Sequence, residues 1–219
     1  LLMLISFDFL EENDYYMLKF HSEARKFSSA PFNGGVGRAK AYINRTVNLD
    51  YNEEVISETK EFLARNKIEE NGTVCTLTAV DVNTHVVAKK YLDTNSLIVY
   101  ITAGFDNTVS IGNVKGMHGT INIALLTDFP LSDAGVLNLF QTIVESKAQF
   151  MNDAHVTDRA TGKVGPGTST DTVSVFVFND EKTINYAGRI TAIGHEASLM
   201  VYNSLLKINE NNKKAHEMA

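Results

Sequence analysis

The sequence predicts an α+β fold: a single domain in which a mixed, mainly antiparallel sheet has long helices packed on it. Three observations predict it. Short β-branched or aromatic runs outnumber helical stretches, several of those runs sit as hairpin-like neighbours, and two long segments carry helical periodicity. At 219 residues with 44% apolar side chains, one domain spanning 1–219 can bury a sizeable core.

Met3 to Leu10 and Tyr15 to His21 read as paired strands around a Glu11–Asp14 turn. A loop from Ser28 to Gly37 follows, and Ala39 to Asn48 is extended. Asn52 to Asn66 is an amphipathic helix, with Val55, Ile56, Thr59, Phe62 and Leu63 on one side. Strands Val74–Val82 and His85–Leu92 are predicted to join through a tight turn at Asn83-Thr84. Leu97 to Ala103 is a central strand, and Gly119 to Thr127 another. Leu131 to Ala154 is the longest helix, Thr172 to Phe178 a strand, and Thr191 to Asn209 a second long helix. The polar end, 211–219, is expected to fray.

Composition narrows the function classes. The net charge is −6 with no long basic run, which disfavours nucleic acid and anionic membrane as partners. The one cysteine, Cys75, excludes a disulfide within the chain and reads as a small core residue in an apolar run. Leu1 to Phe7 is apolar, but acids follow at once and no basic residue precedes it. That is a poor signal peptide, so a cytoplasmic protein is expected.

Polar and glycine residues collect at the ends of the predicted strands. Phe27 to Gly37 holds Asn33, Gly34 and Gly35, and adjacent glycines permit positive φ and close approach to a ligand. Ile101 to Thr108 ends a buried strand with Asp106 and Asn107. Thr120 and Asn122 share one strand face, where two polar groups need partners. The segment 160–171 is dense in glycine and hydroxyls but lacks the Gly-Lys-Ser/Thr ending of a phosphate-binding loop. Lys147 falls within the apolar helix face of Val136, Phe140, Ile143, Val144 and Met151, with Glu145 roughly opposite. A lysine there must snorkel, pair with a carboxylate or touch a substrate. His195 lies in the first turn of the last predicted helix, away from its apolar face. No His-Glu-x-x-His appears and no spacing demands a metal. These residues alone specify no reaction.

The same segments, in order, resemble the adenosylcobinamide amidohydrolase family. The strings are Ser28-Ser-Ala-Pro-x-Asn-Gly-Gly35, Asn44-Arg-Thr-Val47, Leu77-Thr-Ala79, Thr102-Ala-Gly-x-x-Asn107 and Gly119-Thr-Ile-Asn122. They continue as Glu145-Ser-Lys-Ala148, Thr161-Gly, Gly167-Thr-Ser-Thr-Asp171 and Tyr186-Ala-Gly188, so the likeness runs from about Phe27 to Leu206. The chain departs from the family pattern at Val164-Gly-Pro-Gly167, at Ile190-Thr191, where a His-Thr pair is usual, and at His195-Glu196.

The resemblance implies hydrolysis of the amide that joins aminopropanol to a corrin side chain of adenosylcobinamide. The product, adenosylcobyric acid, re-enters coenzyme B12 synthesis. On that footing the partner is a small corrinoid that carries its own cobalt, a further cofactor is left open, and a homo-oligomer is compatible. Asp171 or Glu145 is the expected base for water. Lys147, Asn122 and the amides of Gly167 to Ser169 are the candidates to hold the oxyanion. Thr168, Ser169 and Thr170 are candidate nucleophiles. Asn33, Asn44, Asn107 and Asn122 suit a substrate fringed with amides, with Gly34, Gly35, Thr120, Ser169 and His195 as further contacts. The alternatives are a non-catalytic corrinoid-binding module and another amide hydrolase with a Thr or Ser nucleophile.

Overall fold

The computed structural model describes residues 5–114 and 120–217. Strands β1 (Phe7–Glu11) and β2 (Tyr15–Ser28) form the predicted hairpin, with Phe7 opposite Phe20 and Glu11 opposite Tyr16. Met3 and Leu4 of the predicted first strand lie outside the described residues, as do His118 and Gly119. β2 runs on to Ser28, well past the predicted His21, because β3 (Gly35–Thr46) and β8 (Thr172–Val177) both pair with its second half. The predicted loop therefore shrinks to 29–34. Asn33 and Gly35 turn it with φ of 52° and 77°, the left-handed region that asparagine and glycine tolerate.

β3, α1 (Val55–Arg65) and β4 (Thr73–Thr78) make a parallel crossover. Glu54 starts α1 by accepting from the amides of Ile56 at 3.2 Å and Ser57 at 2.8 Å. Thr59, Phe62 and Leu63 are buried as the period predicts, while Ile56 is exposed. β7 (Ile121–Thr127), α2 (Asp133–Asp153) and β8 make a second parallel crossover. β5 (Val86–Leu92), β6 (Asn95–Ala103) and β7 are antiparallel neighbours. α3 (Ala192–Glu217) packs beside α2 and continues beyond the predicted Asn209.

One expectation is overturned. The strands on either side of Asn83-Thr84 are not a hairpin. The sheet order is β4-β3-β2-β8-β7-β6-β5, so β4 and β5 are opposite ends of it. β4 stops at Thr78, whose hydroxyl accepts from the amide of Val80, and Asp81 then caps a single 3-10 turn over Val82–Thr84. Period-two alternation reports burial on each strand and carries no information about which strand lies next to it.

The sheet curls until its two halves face each other. Tyr16 on β2 lies 5.8 Å from Tyr100 on β6, ring to ring, and Tyr42 on β3 lies 5.6 Å from Phe176 on β8. These strands are not neighbours in the sheet, so only curvature brings them together. The core thus has three parts: aromatics inside the curl, a large aliphatic layer beneath α2 and α3, and a small cluster beneath α1. Cys75 belongs to the third. It is fully buried, and burial pushes its thiol up to about 12. A thiolate-seeking aromatic disulfide at pH 8 should leave the folded protein unlabelled and react once in denaturant. Labelling within minutes of the native protein would contradict this packing.

Candidate active site

Asp171 is the last residue before β8, and Lys147 is on the buried face of α2. Their side chains, 11% and 10% exposed, form an ion pair through Asp171 Oδ2. That settles the anomalous lysine: its stem packs in the aliphatic layer and its ammonium meets a carboxylate. Oδ2 also accepts from the amide of Thr168 at 3.0 Å. Oδ1 accepts from the amide of Ile121 at 2.9 Å and from Thr168 Oγ1 at 2.5 Å. One carboxylate thus binds the starts of β7 and β8, the preceding turn and α2. A Cβ on Gly167 would collide with both Asp171 Oδ2 and Lys147 Nζ. Gly167→Ala should therefore break the pair and lower the melting temperature by several degrees. An unchanged melting temperature would show that the pair is dispensable to the fold.

The turn 164–168 is held from the other side by the chain after β6. The amide of Val109 donates to Gly167 O at 3.0 Å, and Thr108 bridges Thr168. Asp158 ties the two segments together by accepting from the amide and hydroxyl of Ser110 and from Asn113. The Ser110 amide, first among these donors, holds its carboxyl well below the usual carboxylate range. Asn107 is half-buried in this same segment.

Asp171 borders a cavity of about 490 Å³. Thr120, Thr170 and Thr172 stand beside it, with the Thr120 and Thr170 hydroxyls 3.0 Å apart. Leu77 to Ala79, at the end of β4, line it too, as do Ser29 and Pro31. The remaining wall is the β3–α1 connection, including Val47, Leu49, Tyr51 and Glu53. The Tyr51 hydroxyl donates to Glu58 at 3.0 Å, and Glu58 pairs with the buried Arg45. Burial is the main cause that pushes the Tyr51 phenol up.

The sequence-predicted residues divide into groups. Asp171, Lys147, Thr168, Thr170 and Thr120 converge, and Ser169 is exposed in the same turn. Asn44 and Asn122 lie behind the cavity, fully buried. Asn122 donates to Asn44 Oδ1 at 2.8 Å and Asn44 donates to Thr102 at 2.8 Å, so their amides knit the seam of the curled sheet. Asn33 donates to Glu70 O and Thr73 O, and neither it nor Gly34 nor Gly35 lines the cavity. Glu145 lines a different groove between α2 and α3, where it pairs with Arg189. His195 is exposed on α3 and lines neither space. The wall 47–55 was missed. A connection leaving the C-terminal end of a parallel strand is a recurrent ligand position and was the available signal. Among the described residues no cluster of three His, Cys, Asp or Glu side chains suits a metal. None of the described helices is long and apolar enough to cross a membrane.

The family model for adenosylcobinamide amidohydrolase matches residues 5–217, nearly the whole chain. The chain belongs to the adenosylcobinamide amidohydrolase family. No curated protein matches it. Among solved structures, it is similar to the PH0078 protein from Pyrococcus horikoshii OT3, at 9% identity and a TM-score of 0.47, over 94% of this chain and 79% of that one. The matched residues include both ends of the ion pair, Lys147 and Asp171.

Proposed function

We propose that the protein is an amidohydrolase of corrinoid salvage that cleaves the aminopropanol amide of adenosylcobinamide to give adenosylcobyric acid. One observation carries the reading beside the family membership. A carboxylate fixed by Lys147, two backbone amides and a threonine hydroxyl opens onto a cavity edged by two more threonine hydroxyls. The cavity takes the pendant amide chain, and the ring stays at its mouth. A substrate water loses its proton to Asp171 as its oxygen bonds to the amide carbon. The Thr168 hydroxyl, which rotates about a single bond, swings aside from Asp171 Oδ1 to open a lone pair. Of Thr120 and Thr170, one hydroxyl donates to the other, and that second hydroxyl donates to the oxyanion. The carbon–nitrogen bond then breaks, and Asp171 returns the proton to the leaving amine.

Thr168 Oγ1, 2.5 Å from Asp171 Oδ1, supports a second reading in which this hydroxyl is itself the nucleophile. The purified protein with adenosylcobinamide should release adenosylcobyric acid and 1-aminopropan-2-ol by chromatography. Absence of both at enzyme concentrations equal to substrate would overturn the assignment. An acyl adduct on Thr168 by mass spectrometry would select the second reading.

A further inference from the structure

Resting on the hydrolase reading, the charges on the cavity wall point to its specificity, and we propose that Glu53 makes the enzyme reject substrates whose leaving amino alcohol carries a phosphate. The charged residues among the described lining are Glu53 and Asp171, both acidic. Asp171 is neutralised by Lys147. Glu53 has no such counter-ion among the described ion pairs, and Asp50 and Glu54 flank it on the same connection. Glu54 turns its carboxylate to the start of α1, which leaves Glu53 as the uncompensated charge on the cavity side.

The wall that carries it is anchored at both ends. The amide of Val47 donates to Thr78 O at 2.8 Å, and Tyr51, two residues before Glu53, is tied through Glu58 to Arg45 on β3. Arg45 is buried and its guanidinium sits 4.4 Å from the centre of the Phe62 ring. The backbone of the wall is therefore held beside the cavity, with the Glu53 side chain exposed on it. A neutral amino alcohol meets hydroxyls, the amides of Asn48 and Asn52 and the apolar surface of Val47, Leu49, Val55 and Leu77, and brings no charge for Glu53 to repel. A phosphate monoester on that alcohol adds up to two negative charges in the cavity that Glu53 lines. At a separation of about 10 Å and the dielectric constant of water, the repulsion amounts to roughly fourfold before screening by salt.

The experiment compares adenosylcobinamide with its phosphate ester on wild type, Glu53→Gln and Glu53→Lys. Both turnover and equilibrium binding, followed by corrin absorbance, are measured. Wild type should favour the free alcohol about fourfold at low salt in kcat/KM and in binding. Glu53→Gln should bring the ratio close to one, and Glu53→Lys should invert it. Raising the salt should shrink the wild-type preference. Equal handling of the two compounds by wild type, or an unchanged ratio in both variants, overturns the proposal. Absence of turnover with either compound overturns the hydrolase reading instead, and the binding ratio still decides the role of Glu53.

Discussion

Asp171→Asn should lower kcat on adenosylcobinamide by about 10²–10⁴-fold while substrate binding changes only a few-fold, because on the proposed mechanism it removes the group that takes and returns the proton. The amide is close in shape but cannot accept a proton from water at neutral pH. It also offers one oxygen where the carboxylate offers two, so its nitrogen must face Lys147 and the Thr168 amide or face the amide of Ile121 and the Thr168 hydroxyl. Some stability is therefore lost with the activity, and the rate must be measured where the variant is shown by circular dichroism to be folded. Glu145→Gln is the internal control. Glu145 faces the α2–α3 groove beside Arg189, so the variant should keep its rate within about twofold. If Asp171→Asn retains a tenth or more of the wild-type rate, the base lies elsewhere. If Glu145→Gln is the inactive variant, the chemistry belongs to the other groove.

The contrast between these two acids shows what the sequence could and could not convey. Lys147 and Glu145 sit about 200° apart around a helix, so their separation was legible from spacing alone. That Lys147 needed a partner was legible too, since a lysine amid Val136, Ile143 and Met151 has few options. The identity of the partner was not. Asp171 lies 24 positions away along a loop whose path depends on Gly167, Asp158 and the segment after β6, and no local pattern encodes that meeting. The strands were legible through alternation, yet β4 was assigned the wrong neighbour. The parallel partner of β4 is set by the α1 crossover and not by residues within β4. The curl was hidden for the same reason. Asn44 and Asn122 suggested contacts to an amide-fringed substrate because each offers both donors and acceptors, and each is the other's partner across a seam that only the closed sheet creates. The wall at 47–55 carries no glycine cluster and no histidine, so its residues read as an ordinary approach to a helix.

Lys147→Met should destabilise the protein by about 3 kcal/mol, the scale for removing one member of a buried ion pair and leaving the other charged. Methionine is close in length to the lysine stem and keeps its aliphatic contacts, so the loss reports the charge more than the packing. The midpoint of urea unfolding should fall with little change in slope, and the melting temperature should drop by roughly 10 °C for a domain of this size. The pair itself is tested by combination. With Asp171→Asn already present, no full carboxylate remains to be stranded, so adding Lys147→Met should cost at least about 1 kcal/mol less than it does in wild type. Strict additivity would mean that the two groups contribute independently. The lysine would then be held by its stem alone, and Asp171 would stand at the cavity without the cation that fixes it.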